Sequence, residues 1–541
     1  MTMMTNERPP SDDLDRDTEP SSMGSTAGIE ITGPVLTVLS HRHVERVGDR
    51  AYLSELLRLD AQVELSRLAP DFAPPGTTQS QALADPRVSR KPVWIRREDS
   101  DAFSIDASDT STKIRVDGEE VAGRMRITRA HLERGVVIEL AGRVALLFHL
   151  APPVPRDRDH LGLIGYSHAI VRLREQIRSV AASNVNVLLR GETGSGKELV
   201  ACAIHDLSKR SSGPHVAINM ATIPSSIAAS ELFGHERGAF TGATASRIGY
   251  FARAHKGTLF LDEVGDTNLA VQAALLRSVE TQTILPIGAG APRNIDVRVI
   301  AATDADLDSA VDDGTFRRAL LHRLSGFVIE VPPLRARRED IGMLLVHFLR
   351  QELAAMGKAG RLDNPDAERA WLGADLVGRL ARYAFPGNVR ELRNAARQIA
   401  IASHSHRRAK LGSYLEGVLS SAPLRSVPPA DRRSEMSPNR AHTQGARPSR
   451  KPSTISEEEL VEALSANQWR IAHTAAQLGV ARASLYGLIE RSERIQKASD
   501  LDAAAIEACR SETDGTLEDL ACALCVSPRG LRLRMRELGL D

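Results

Sequence analysis

The sequence predicts a multidomain chain: a β-sandwich, then an α/β core with a helical lid, then an all-α C-terminal end that is apparently duplicated. Three observations predict it. Residues 31–150 alternate short apolar runs with turn residues (Val35–Leu39, Val93–Ile95, Lys113–Val116 and Val144–Leu150), the pattern of a small sandwich. From Leu161 to about Leu334, the apolar runs Val185–Leu189, Val216–Asn219, Leu259–Asp262 and Val297–Ala302 alternate with amphipathic helices, as buried parallel strands do. Near the end, sliding the chain by 46 residues aligns Ala475 with Ala521, Leu478 with Leu524, Gly479 with Cys525, Val480 with Val526 and Leu485 with Leu531, which reads as a repeat of one helical unit.

At 541 residues the chain is too long for a single core, and roughly 100–200 residues per domain suggests three to five units. The divisions expected are an acidic tail at 1–30, the sandwich at 31–150, a linker at 151–160, the α/β core at 161–335, the lid at 336–410, a basic Pro/Ser-rich linker at 411–453, and helical units at 454–497 and 500–541. The formal net charge of +1 points to no partner, but its distribution is uneven. Residues 1–30 hold seven acids against two arginines, and residues 421–453 hold seven bases against two acids. Neither stretch has the large apolar residues needed to offset its ordering entropy. Cys522 and Cys525 form a lone C-x-x-C with no second pair, so small core residues are favoured over a zinc site. No basic segment followed by an apolar run opens the chain, and no run of about 18 apolar residues occurs. A cytoplasmic protein is expected.

The chemistry sits in the α/β core. Gly191-Glu192-Thr193-Gly194-Ser195-Gly196-Lys197-Glu198 follows an apolar strand and opens a helix, the context that a P-loop requires. Its glycines let backbone N–H groups surround phosphate oxygens, the helix N-terminus adds a favourable dipole, and Lys197 neutralises the β/γ-phosphates. Glu198 stands where Ser or Thr usually binds Mg²⁺. About 70 residues on, Thr258-Leu-Phe-Leu-Asp262-Glu263 ends a buried strand in two carboxylates, placing Asp262 for Mg²⁺ and Glu263 to polarise an attacking water.

Glu231-Leu-Phe-Gly-His-Glu-Arg-Gly238-Ala239-Phe240-Thr241-Gly242-Ala243 contains GAFTGA. With it the chain resembles the bacterial enhancer-binding proteins, the NtrC-like AAA+ activators of sigma-54 RNA polymerase, from about Leu161 to His404. Gly257–Glu263, Asp296–Thr303, Val331–Arg335 and Phe385–Leu392 also match. The family commonly has Glu after the P-loop lysine. The resemblance implies an Mg²⁺-dependent ATPase that forms a ring, a hexamer in the active state, and contacts sigma-54 and polymerase through residues 238–243. It implies that Asn219 holds Glu263 until the γ-phosphate is sensed, that Thr303 and Asp304 form the first sensor, and that Arg390 is the second. Asp304 replaces a frequent Asn. Arg317 and Arg323 match the arginine fingers that reach a neighbour's ATP. An exposed Phe240 at a loop tip has no folding rationale, and a partner contact supplies one.

Residues 471–493 read as a helix-turn-helix, with the Ala475, Gly479 and Leu485 spacing in which a small residue lets helices cross and Gly makes the turn. The segment resembles the Fis-type unit that ends most enhancer-binding proteins, which implies upstream double-stranded DNA as partner. Arg482, Ser484, Tyr486 and Arg491 would lie on its recognition helix. The second copy carries Arg529, Arg532, Arg534 and Arg536, a density suited to phosphate contacts, although a solvated basic helix or a dimer contact stays open.

The sandwich resembles a forkhead-associated (FHA) domain, which binds phosphothreonine, through Val47-Gly48, Asp85–Arg90, Val116–Val121 and Leu132–Leu140. It departs from that family in Gly48-Asp49 for Gly-Arg, Pro92 for His, and Thr112-Lys113 for Asn-Gly. Arg50, Ser89, Arg90 and Thr112 are the candidate phosphopeptide set; a domain serving only in subunit contacts stays equally open. With no receiver domain or other sensor evident, the N-terminal domain is expected to gate ring assembly. The competing functions are a DNA-binding regulator with an inactive ATPase, a relative acting on the ordinary sigma factor, and a generic AAA+ unfoldase. The intact Lys197, Asp262, Glu263 and arginines, the intact GAFTGA and the helix-turn-helix end speak against them in turn.

Overall fold

The computed structural model describes residues 32–154, 159–240, 243–363, 370–421 and 455–466, the helix Ala503–Glu512, and scattered positions between 474 and 540. The chain divides into two units, Met1–Asp431 and Arg432–Asp541.

The first unit begins with two antiparallel sheets. One runs β2 (Arg50–Tyr52), β1 (Gly33–Ser40), β10 (Val144–Ala151), β9 (Val136–Leu140), β6 (Ile114–Val116), β7 (Glu119–Glu120); the other runs β3 (Gln62–Leu65), β4 (Val93–Arg97), β5 (Ala102–Asp106), β8 (Arg124–Thr128). Residues from both, among them Leu36, Val38, Ile95, Ile105, Ile138, Leu146 and Phe148, enclose one core. Helix α1 (Arg129–Arg134) is capped by Thr128 and His131.

The large sheet is apolar on both faces. Along β10, Val144, Leu146 and Phe148 enter the sandwich core, while Ala145 and Leu147 join Leu39, Val44 and Val137 in a second core shared with the lid. A period-2 strand buried on both sides reads as a continuous apolar run, as Val144-Ala-Leu-Leu-Phe148 does.

The sandwich holds two histidines neutral, His149 in β10 and His41 just after β1. His149 shares a hydrogen bond of 2.8 Å with Thr37 Oγ1 and is driven down to about 3 by burial, with Arg50 adding to the effect. His41 falls to about 4, again chiefly by burial. A base kept neutral in the fold takes up no proton there, whereas the unfolded chain does. Stability is therefore full above about pH 6.5 and falls as pH drops below it. At pH 5 each histidine costs about 2 kcal/mol. His149→Gln should flatten that loss by the same amount, read as the difference in urea midpoint between pH 7.5 and pH 5.

The α/β core is a five-stranded parallel sheet ordered β12 (His215–Asn219), β15 (Thr258–Asp262), β18 (Arg298–Thr303), β11 (Val187–Arg190), β19 (Phe327–Glu330). It confirms the four expected strands to within one or two residues. Leu188, Leu259, Leu261, Val299 and Ala301 face helices α4 (Ala228–Phe233), α6 (Leu269–Thr281) and α8 (Arg318–Leu324). Val187, Leu189, Phe260, Ile300 and Ala302 face α2 (His168–Ala181) and α3 (Lys197–Asp206). The helices α5 (Tyr250–Arg253) and α7 (Leu307–Asp312) complete the core. Two short hairpins project from it: β13 (Gly234–His235) with β14 (Arg247–Ile248), and β16 (Thr283–Ile284) with β17 (Arg293–Asn294).

The lid comprises α9 (Ile341–Ala355), α10 (Ala374–Arg382) and α11 (Asn388–Ala402). It does not end near residue 410. Helix α12 (Ser413–Ser421) follows and buries Leu415 and Leu419 in the lid core, so the first part of the expected basic linker is structured. Among the described residues no helix is long and apolar enough to cross a membrane.

In the second unit, α13 (Glu457–Ala466) and the helix Ala503–Glu512 stand 46 residues apart, the spacing of the sequence repeat. Each belongs to its own small core. Leu460, Leu464, Leu478 and Leu485 form one; Ile506, Leu520, Val526 and Leu531 form the other, and the same spacing relates Leu460 to Ile506 and Leu485 to Leu531. Arg482, Ser484, Tyr486, Arg491, Arg529, Arg532 and Arg536, with Cys522 and Cys525, lie outside the described residues. Arg534 is placed and half-buried, and its Nε donates to the Leu501 carbonyl at 3.0 Å.

Candidate nucleotide site and its loop

In a parallel sheet the carboxyl ends of the strands form the ligand-binding edge, and three of them converge here. The Gly191–Gly196 turn leaves β11 and opens α3. Gly194 has φ +76°, and a Cβ there would stand 2.4 Å from the Gly387 carbonyl oxygen, so no side chain fits. Lys197, buried, donates to the Gly191 carbonyl at 2.9 Å and approaches Glu263 Oε1 at 3.4 Å.

Asp262 ends β15, with Oδ1 buried and without a hydrogen-bond partner among the described residues. Glu263 follows in a left-handed conformation (φ 51°, ψ 51°) that turns the chain out of the sheet. Burial pushes its carboxyl up; Lys197 opposes this, and Asp304 and Asp262 reinforce it. Its Oε2 accepts from the Asp304 N–H at 3.3 Å. Thr303 is buried at the end of β18, and Asp304 accepts from the Thr193 hydroxyl.

Asn219 is not on Glu263. Its Nδ2 donates to Asp262 Oδ2 at 3.2 Å. Strand pairing explains the difference: Asn219 and Asp262 are register partners at the ends of β12 and β15, whereas Glu263 has already turned away.

Three residues that hold the P-loop were not singled out in the sequence. Arg335 forms a forked pair with Glu192, whose carboxyl is held at about 2 by Arg335 and then by Asn388. Buried Arg337 donates to the Ser195 carbonyl at 3.2 Å. Asn388, fully buried at φ 53°, accepts from Leu334 N at 2.8 Å and donates to Glu192 and to the Thr193 carbonyl at 3.1 Å each. An Asn tolerates left-handed backbone better than most residues, and that was the signal available in Pro386-Gly-Asn-Val. Asn388→Ala strains the turn and leaves Leu334 N unpaired. A loss of about 1–3 kcal/mol in thermal stability is expected, with weaker ADP binding, both readable by melting with and without ADP.

Glu198 is exposed in the first turn of α3. Arg390 lies at the start of α11, where its backbone N–H approaches the Gly194 carbonyl at 3.3 Å and its side chain is exposed. Arg317 is tethered within its own chain, its Nε donating to the Leu269 carbonyl at 3.2 Å and its N–H to Gln272 at 2.8 Å. Arg323 is exposed and makes no hydrogen bond or ion pair through its guanidinium among the described residues.

The 238–243 loop rises from the β13–β14 hairpin. Gly238 N–H donates to the Ala243 carbonyl at 2.9 Å and Ala243 N–H to the Phe240 carbonyl at 3.0 Å, which closes the loop. Ala239 packs beside Gly288. Phe240 is 45% exposed, with the His235 ring edge-on at 5.0 Å. Thr241 and Gly242 lie outside the described residues.

On the sandwich, Ser89 N–H donates to Thr112 Oγ1 at 2.8 Å, which joins those two; Thr112 is buried, Ser89 half-buried and Arg90 exposed. Arg50 does not join them as an exposed donor. It is 4% exposed and donates to the Tyr166 carbonyl at 3.1 Å, because β2 pairs with β1 and turns it inward.

Residues 163–330 match the sigma-54 interaction domain, and residues 335–415 match the AAA+ ATPase lid domain. The C4-dicarboxylate transport transcriptional regulatory protein DctD of Pseudomonas aeruginosa is 48% identical over 246 residues, 46% of this chain and 51% of that protein. The anaerobic nitric oxide reductase transcription regulator NorR of Aeromonas salmonicida is 40% identical over 312 residues, 58% of each. The chain spans about half the length of the curated relatives it matches. Among solved structures, NtrX from Brucella abortus in complex with ATP aligns over 61% of this chain and 69% of that one, at 30% identity and a TM-score of 0.43. The chain therefore carries a sigma-54 interaction domain with its lid, an AAA+ ATPase module homologous to those of the sigma-54-dependent regulators DctD and NorR.

Proposed function

We propose that the whole chain is a sigma-54-dependent transcription activator that hydrolyses ATP in a ring and remodels the closed promoter complex through residues 238–243. The observation that carries this reading is the meeting of Lys197, Asp262, Glu263, Thr303 and Asp304 at one P-loop, in the same domain that presents an intact GAFTGA loop.

The residues fit the chemistry. Phosphoryl transfer is catalysed chiefly by positioning and charge neutralisation. Lys197 binds the β/γ-phosphates, and Glu263, its carboxyl raised by burial, accepts a proton from the attacking water. Among the described residues no cluster of three or more His, Cys, Asp or Glu side chains holds a metal by itself. Asp262, with an unpartnered buried Oδ1, would share Mg²⁺ with the phosphates, and the ion supplies charge neutralisation there. Thr303, Asp304 and Arg390 read the γ-phosphate. Arg317 and Arg323 act on a neighbour's ATP, which requires a homo-oligomer.

Residues 454–497 bind upstream DNA, and residues 500–541 add phosphate contacts. On the sandwich, Ser89 and Arg90 form the surface for a phosphothreonine segment, with buried Thr112 holding the Ser89 backbone.

The test is transcription in vitro from a sigma-54 promoter with purified holoenzyme and ATP, comparing the full-length protein with Thr241→Ala. Transcripts that need hydrolysable ATP and vanish with Thr241→Ala, while ATP turnover persists, are expected. ATP hydrolysis without any transcript sinks the sigma-54 reading.

A further inference from the structure

The short segment Leu334–Asp340 joins the α/β core to the lid, and its side chains reach four parts of the first unit. Arg335 and Arg337 hold the P-loop at Glu192 and Ser195. Arg338, beside Arg337, turns the other way: Nη1 donates to the Gly135 carbonyl of the sandwich at 2.8 Å and also to that of Arg134. Its Nε and Nη2 donate to the Ala381 carbonyl of the lid at 2.9 and 2.7 Å. Asp340 accepts from Tyr166 N at 2.8 Å, Ser167 N at 2.9 Å and Ser167 Oγ at 2.6 Å, which fixes the start of α2. One turn of chain thus ties the P-loop to the sandwich.

The sandwich is built to be held there. Glu139 of β9 and Arg382 of α10 form a pair at 2.9 Å in which both side chains are nearly buried. Leu39, Val44, Val137, Ala145 and Leu147 share a core with lid residues Ile341, Leu344, Leu345 and Val377. A Cβ on Gly342 would stand 2.5 Å from the Leu39 carbonyl oxygen. Glycine is unfavourable in a helix, and at Gly342 only the close approach of the sandwich calls for it.

We propose that the docked sandwich is a positioning element for the nucleotide site. It acts through Arg338 and the 334–340 segment to keep Arg335, Arg337 and Asn388 on the P-loop. Releasing it weakens nucleotide binding. Coupling between sites is reciprocal, so bound nucleotide must also tighten the sandwich against the lid. The proposal depends on nucleotide binding alone and not on transcription.

The test uses the full chain with ADP as ligand. Arg338→Ala removes the bonds to the sandwich, Arg338→Lys keeps a cation there, and Gly342→Ala wedges the sandwich away while favouring helix α9. ADP affinity should fall about 5- to 20-fold in Arg338→Ala and Gly342→Ala and recover in large part in Arg338→Lys. In the wild type, ADP should slow amide exchange across Val136–Leu140, and both disruptive variants should lose that response. Circular dichroism reports whether each variant is folded. Folded variants that bind ADP within twofold of wild type overturn the proposal. So does wild-type exchange at 136–140 that ignores ADP while P-loop amides respond, and that reading stands even where a variant fails to fold. A wild-type chain that binds no ADP overturns both this proposal and the ATPase reading.

Discussion

Glu263→Gln should bind ATP as well as the wild type and turn it over about 10²- to 10⁴-fold more slowly, the usual contribution of a positioned general base. The substitution keeps the shape and removes one charge. That charge stands in a crowded acidic pocket, with Asp262 and Asp304 near it and only Lys197 opposing. Losing it relieves repulsion towards a triphosphate, so affinity holds or rises while chemistry stops. The backbone supports the assignment. A non-glycine residue at φ 51°, ψ 51° costs roughly 1–3 kcal/mol, and the turn aims Glu263 out of the sheet beside the P-loop lysine. Phosphate release and ADP or ATP binding measured on the same preparation separate the two effects. Turnover within tenfold of wild type would remove Glu263 from the chemistry. Asn219→Ala offers a contrast: its partner is Asp262, so its loss should depend on Mg²⁺ concentration, which a defect at Glu263 should not.

The nucleotide site was legible in the sequence because its chemistry sits at strand ends. A glycine-rich turn after one strand and two carboxylates after another can meet only at one edge of a parallel sheet, and the sheet order puts β18 beside β11 and β15 one strand further on. The side-chain partner of Asn219 was less legible, since register between β12 and β15 decides it and sequence spacing does not. Arg50 misled through its neighbours. Adjacent to Gly48-Asp49 it resembles a loop residue, but pairing with Thr37 carries it into the interior. The contact between sandwich and lid had a visible trace in β10, where Val144-Ala-Leu-Leu-Phe148 is apolar on both faces, which one buried face does not require. Helix α12 was hidden by the Pro/Ser-rich stretch after it, although Leu415, Val418 and Leu419 fall at helical spacing.

Arg323→Ala should reduce ATP turnover by about 10³-fold or more, the range for an arginine supplied to another subunit's phosphates, and the loss should be repairable by mixing. An arginine needed only for folding finds a partner in its own chain. Arg317 does so at the Leu269 carbonyl, whereas Arg323 stands exposed with its guanidinium unpaired among the described residues. The larger loss is therefore expected at Arg323 and the smaller at Arg317. If Arg323 serves a neighbour, an Arg323→Ala chain still has a sound P-loop, and a Lys197→Ala chain still has a sound finger. Each is inactive alone. Mixed in equal amounts, they place some wild-type fingers against wild-type P-loops, and turnover should rise well above the sum of the separate preparations. A mixture no more active than that sum would mean that Arg323 works on its own chain's nucleotide. The arginine-finger argument for a ring as the active form would then rest on Arg317 alone, whose Nε is already engaged by the Leu269 carbonyl of its own chain.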